Sequence, residues 1–157
     1  MAITIRQYNP DTGALLSNVN TISFGKIVGG TTSKTAVIDI AFSEVTEVSD
    51  ISLGLINSGG LTVASNASDT SNNSDGSSTK GYFGIVSSAA FDSSIASNPL
   101  TSFFKGINAT VTAGDVNNVE IPNRSATLSN YIYLNITPDA ASTGSNSGSW
   151  KVFFNYS

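Results

Sequence analysis

The chain has 157 residues, a net charge of -4 and only 11% charged residues, where an ordinary soluble domain carries roughly 25%. Ser, Thr, Asn and Gly take up the difference, a composition that suits short strands and turns and disfavours long helices. Cysteine and histidine are both absent, which excludes disulfides, thiolate metal sites and histidine-based acid–base chemistry.

Residues 2–8 alternate Ile3 and Ile5 against Thr4 and Arg6 and read as a first strand. Asn9-Pro10-Asp11-Thr12-Gly13 follows as a turn, with Pro presetting φ and Gly taking the left-handed slot. The anchor of the chain is residues 21–42, expected to be two strands joined by Gly29-Gly30. Val19, Ile22, Phe24, Ile27 and Val28 populate the first run. In the second, Ala36, Ile38, Ile40 and Phe42 alternate with Val37, Asp39 and Ala41. Asp39 is expected on the solvent side, which sets the other row inward. Residues 43–50 hold two of the three glutamates and read as an exposed edge or loop. Residues 51–56 form a strand in which Gly54 marks a bulge or a close backbone approach. A turn at 57–60 and a short apolar run at 61–64 lead into residues 65–80, an almost wholly polar, Ser/Asn-rich long loop.

A strand resumes at 82–86. Residues 87–98 have helical spacing, with Ala90, Phe91 and Ile95 on one face and Pro99 as the stop, enough for one or two turns. Phe103, Phe104, Ile107, Ala109 and Val111 make an extended segment, and Val116, Val119 and Ile121 lead to a strand end at Pro122. Residues 131–137 are a strong strand, with Tyr131, Tyr133 and Asn135 opposite Ile132, Leu134 and Ile136. After a Ser/Gly-rich turn, residues 150–156 close the chain with Trp150, Val152, Phe154 and Tyr156 on one face. Roughly eight to ten short strands with turn signals between them predict an antiparallel β-sandwich. The fold class is all-β, a single domain over residues 1–157, with long polar loops and at most one short helix.

The string Phe24-Gly25, Gly29-Gly30, Ser33 and the alternating residues 35–42 resembles the first two strands of immunoglobulin-like domains. Residues 131–138, the Gly-containing turn and residues 150–156 are similar to the last two. The segments 65–80 and 87–104 exceed a standard domain of that kind. The resemblance implies binding and assembly in place of catalysis. A cysteine-free, Ser/Thr/Asn/Gly-biased, leaderless all-β chain of this size also resembles, in overall style, the accessory and decoration proteins of tailed-phage virions.

Candidate chemistry is sparse. Ser23–Lys26, Ser77–Lys80 and Ser102–Lys105 have the spacing of a serine nucleophile with a lysine base. Serine is abundant enough that such triplets arise by chance, and none opens a clear helix. Asn73, Asp75 and Gly76 suggest a calcium loop, but Ser71 stands where the first Asp belongs and Tyr82 where the bidentate Glu belongs. The acids Asp39, Glu44, Glu47, Asp50, Asp92, Asp115 and Glu120 are spread too thinly to suggest a facing pair. No catalytic residue, cofactor or metal is expected, and the chain reads as a non-enzyme. Six Asn-x-Ser/Thr triplets, including those at Asn135 and Asn155, follow from composition alone.

Seven scattered basic residues make no nucleic-acid footprint. No apolar run approaches the ~18 residues of a membrane helix, and the opening MAITIRQYNP lacks a signal-peptide pattern. Doublets such as Phe103-Phe104 and Phe153-Phe154 must send one ring away from the first core. Phe103, Phe104, Phe153, Tyr131 and Tyr133 are therefore candidate subunit contacts. The expectation is a virion structural protein, made in a host cytoplasm and acting as a homo-oligomer or with other virion proteins. The alternative is a carbohydrate-binding or adhesin-type module with rings stacked on a glycan. Buried Trp150, Tyr131 and Tyr133 would favour assembly; exposed, coplanar rings would favour sugar.

Overall fold

The computed structural model describes residues 2–57, 82–102, 119–121, 124–125, 130–138 and 148–157. The expected 65–80 loop, the run at 61–64, the segment holding Phe103 and Phe104, and residues 139–147 lie outside the described residues. The fold is all-β and antiparallel. Its strands are β1 (Ala2–Tyr8), β2 (Leu15–Asn18), β3 (Ala36–Ser43), β4 (Glu47–Asn57), β5 (Tyr82–Ser88), β6 (Val119–Ile121), β7 (Arg124–Ser125), β8 (Tyr131–Thr137) and β9 (Gly148–Tyr156). One helical turn and a half, α1 (Ser93–Ser97), follows β5.

One sheet runs β2-β1-β3-β8-β5; in the other, β4 pairs with β6, β7 and β9. Alternation explains how they stack. Ile38, Ile40 and Phe42 of β3, Ile132 and Leu134 of β8, and Phe83 and Ile85 of β5 all point to one face. They meet Val48, Ile51 and Leu53 of β4 and Ile121 of β6, with Trp150, Val152 and Phe154 packed alongside. The inward row expected on residues 36–42 is therefore the one found. Each fully buried side chain of this size contributes roughly 1.5–3 kcal/mol.

Asp39 corrects the expectation for the other row. It is 0% exposed and faces Arg6, its register partner on β1. The outer face of the five-stranded sheet is not solvent but a second, smaller core. Tyr8, Val37, Leu100 and Tyr133 are buried there beneath Phe91, Ile95 and Ala96. Of the face predicted over residues 87–98, Phe91 and Ile95 roof this sheet, whereas Ala90 is exposed and only Ser93–Ser97 is helical. Asp92 caps α1 by accepting from Ser94 N at 2.8 Å.

Residues 19–28 do not form the expected strand. Both edges of β3 are taken, by β1 and β8, so no hairpin partner can join it. The run instead lies irregularly with Ile22 and Phe24 packed on the main core. After the Gly29-Gly30 turn the chain reaches the end of β8: Gly30 N donates to Pro138 O at 2.9 Å and Ser33 N to Ile136 O at 2.8 Å. The short β2, with no alternation to announce it, takes the free edge of β1.

The segment 43–50, expected as an exposed edge or loop, is mostly strand and largely exposed, but Val48 is 1% exposed. The bulge lies at Asp50, not Gly54. Asp50 adopts φ 50°, and the β4–β9 register slips between Ser49 and Ser52. One extra residue shifts the phase, so Val48 and Ile51, three apart, both face the core.

Two glycines allow close approach. Gly13, at φ +72° in the β1–β2 turn, sits against Phe91, whose ring would lie 2.7 Å from an added Cβ. Gly84 faces Asn135 across the β5–β8 register, and a Cβ there would lie 2.3 Å from Asn135 Oδ1 and 3.2 Å from Leu100. Asn135 is 4% exposed, so its buried carboxamide must shift to admit a Cβ. Gly84→Ala should cost about 1–3 kcal/mol, read as a lower urea midpoint at unchanged slope. An unchanged midpoint would contradict this packing.

Candidate functional site

The described residues hold no group of three or more His, Cys, Asp or Glu side chains that could bind a metal. Three of their carboxylates, Asp39, Asp50 and Asp92, are engaged structurally. Asp39 pairs with Arg6 and accepts from Asn130 N at 3.3 Å. Asp50 accepts from Asn155 Nδ2 at 2.7 Å, and Asp92 is a helix cap. Hydrogen bonds from the Ser94 side chain and backbone hold the Asp92 carboxyl below its ordinary pKa. Burial alone would lower the Arg6 pKa, but the hydrogen bond and charge of Asp39 more than reverse this and leave it raised. Asp115 lies outside the described residues.

Of the Ser-x-x-Lys triplets, only Ser23–Lys26 lies wholly among the described residues. Ser23 accepts Gly25 N at 3.3 Å in a local turn, Ser77 and Lys80 lie outside the described residues, and so does Lys105. The loop read against a calcium motif is likewise outside. Asn135 is buried and closed to modification.

The aromatic candidates divide. Tyr133 is 0% exposed, under Phe91 of its own chain, and its hydroxyl accepts from Asp92 N at 2.8 Å. Burial pushes its pKa up, against the opposing effect of that hydrogen bond. Tyr131 is half-buried, edge-on to Tyr8 at 5.1 Å and to Phe91 at 5.7 Å. These two rings are covered by residues 89–100, so a partner subunit does not reach Tyr133. Phe154 turns inward to Phe42 at 4.9 Å, while Phe153 takes the outer face with Lys151 Nζ 5.4 Å from its centroid. Phe103 and Phe104 lie outside the described residues. Trp150 is packed on the main core. Trp150, Tyr131 and Tyr133 therefore make no exposed, coplanar platform for a sugar.

What remains among the described residues is surface and a cleft. Leu15 and Leu16 on β2 are 56% and 57% exposed, and Ile3, Val28 and Tyr156 are also exposed. Sequence reading missed the β2 pair because Leu15-Leu16 follows a turn and breaks period 2. The cleft, about 380 Å³, opens between the sheets. Ile5, Ile38, Ile40, Leu53, Val152 and Trp150 line it, with Asn20, Thr21 and Ser149 among its polar groups. No charged side chain is among its described walls. No family model, curated protein or solved structure matches the chain.

Proposed function

We propose that this chain is a non-enzymatic structural protein that works by subunit contact, as an accessory or decoration protein of a tailed-phage virion. The observation that carries the assembly half is the exposed leucine pair of β2, with a cleft whose described walls carry no charge. An apolar edge of this kind costs little when it is covered by another protein surface. The virion half rests on the sequence: an all-β chain without Cys or His, low in charge and rich in Ser, Thr, Asn and Gly. The immunoglobulin-like resemblance of residues 24–42 and 131–156 points the same way, toward a module that binds and assembles. Low charge makes the contacts relatively insensitive to salt.

The test is compositional. Particles released by the cells that make this chain are banded on a density gradient and analysed by mass spectrometry. The expected result is this chain at a fixed ratio to the major particle protein, retained through a wash in high salt. Its absence from the banded particles, or its loss in the salt wash, would overturn the reading.

A further inference from the structure

We infer that residues 21–25 are a latent strand that closes onto the outer edge of β9 and seals the mouth of the cleft; this stands apart from the assembly reading above.

The segment has a strand's side-chain order and lacks its ladder. Thr21, Ser23 and Gly25 are exposed, while Ile22 and Phe24 are half-buried on the main core, which is the alternation of a strand on a core. Among the described residues, residues 20–24 make no backbone–backbone hydrogen bond. The chain is tied to the first sheet on either side of that run. Val19 N donates to Ile5 O at 2.9 Å, and Gly30 N to Pro138 O at 2.9 Å. The run between is held by the apolar side chains of Ile22 and Phe24 and by a local turn in which Gly25 N donates to Ser23 Oγ.

The second sheet supplies the partner. Among the described residues β9 pairs with β4 alone, so no described strand occupies its other edge. Asn20, Thr21 and Ile22 line the same cleft as Ser149, Trp150 and Val152 of β9. Residues of β2, β5, β6 and β7 are not among its described walls, and both edges of β3 are taken. Closure brings the segment and β9 to the strand spacing of about 4.8 Å.

The two patterns agree. Trp150, Val152 and Phe154 pack on the main core, as Ile22 and Phe24 already do. Lys151 is exposed, like Thr21 and Ser23. Pairing therefore extends one apolar row and one polar row without turning a side chain over, and that match is what specifies a register. Residues 19–25 hold no charge and no proline, so closure draws no ion from water and no ladder donor is missing. An open edge is a template for foreign strands; closure covers it with the chain's own segment.

The experiment locks the closed form and looks for it in the wild type. The chain has no cysteine, so Thr21→Cys with Ser149→Cys, both at exposed positions, introduces a single possible bridge. It forms only when the two Cα atoms come within about 7 Å. The expected result is an intramolecular disulfide, with alternate amides of residues 20–24 exchanging at least tenfold more slowly than in the reduced variant. Reduction should reverse the protection. In the wild type, NMR relaxation dispersion at residues 20–24 should report a minor state with the amide shifts of the locked form, on the μs–ms timescale of such motions. A reduced variant with the wild-type thermal midpoint that fails to bridge would overturn the inference. So would a bridge that brings no amide protection, or a wild type in which the locked-form shifts are absent.

Discussion

Arg6→Ala should be among the most damaging single changes on the outer face of the five-stranded sheet. Asp39 sits on the central strand β3 at 0% exposure, and the Arg6 guanidinium is its ion-pair partner. Removing the arginine takes the ion-pair partner from a fully buried carboxylate, although Asn130 N still donates to it. Breaking a buried pair from one side costs about 3–5 kcal/mol. The Arg6 side chain is 30% exposed, so the lower end of that range, about 3 kcal/mol, is the expected loss. That is a large share of the stability of a domain this size. The reverse change, Asp39→Ala, should cost less, because the freed guanidinium is near the surface and can reach solvent. Replacing both, Arg6→Met with Asp39→Leu, should recover most of the loss, since apolar side chains of similar volume often substitute for a buried pair without penalty. Urea unfolding of the three variants checks the order. Equal losses for the two single changes would mean that Asp39 is not desolvated as described.

The same pair shows where sequence reading reached its limit. A lone Asp in an alternating strand normally marks the solvent face, and β3 was read that way. The rule failed because Arg6, 33 residues earlier, is brought opposite it by the β1–β3 register. Nothing local to either residue announces a long-range partner. Period-2 alternation did locate β1, β3, β8 and β9 and the inward row of β3. Residues 19–28 carry a similar apolar content yet form no strand, because strand formation needs a vacant edge, and β3 has none. The Asp50 bulge hid the inward phase of Val48, since one inserted residue makes a buried pair look like a helical or loop spacing. The candidate site was less legible still. Tyr131 and Tyr133 were placed on one face correctly, but residues 89–100 cover that face. The exposed corner at Leu15-Leu16 has no periodicity to give it away.

Tyr133 offers the second large effect, and it separates two contributions that the structure combines. The ring is fully buried between the sheet and residues 89–100, and its hydroxyl accepts the Asp92 N–H at 2.8 Å. Tyr133→Ala removes the ring from beneath Phe91 and should cost about 3–5 kcal/mol, as aromatic truncation in a core does. Tyr133→Phe keeps the ring and loses only the hydrogen bond, about 1 kcal/mol. The hydroxyl also sets a pH dependence. Its pKa is raised in the folded chain by burial, so the native state holds this proton more tightly than the unfolded state. The resulting stability is present at neutral pH and is lost as pH rises through the ordinary tyrosine value of about 10 toward the folded one. Wild-type protein should therefore lose stability across that alkaline window faster than Tyr133→Phe, with the two curves converging as pH rises. Thermal unfolding from pH 8 to 11 measures it. Parallel curves would place the alkaline titration on another tyrosine, and a Tyr133→Ala variant as stable as Tyr133→Phe would remove the second core from the account of this fold.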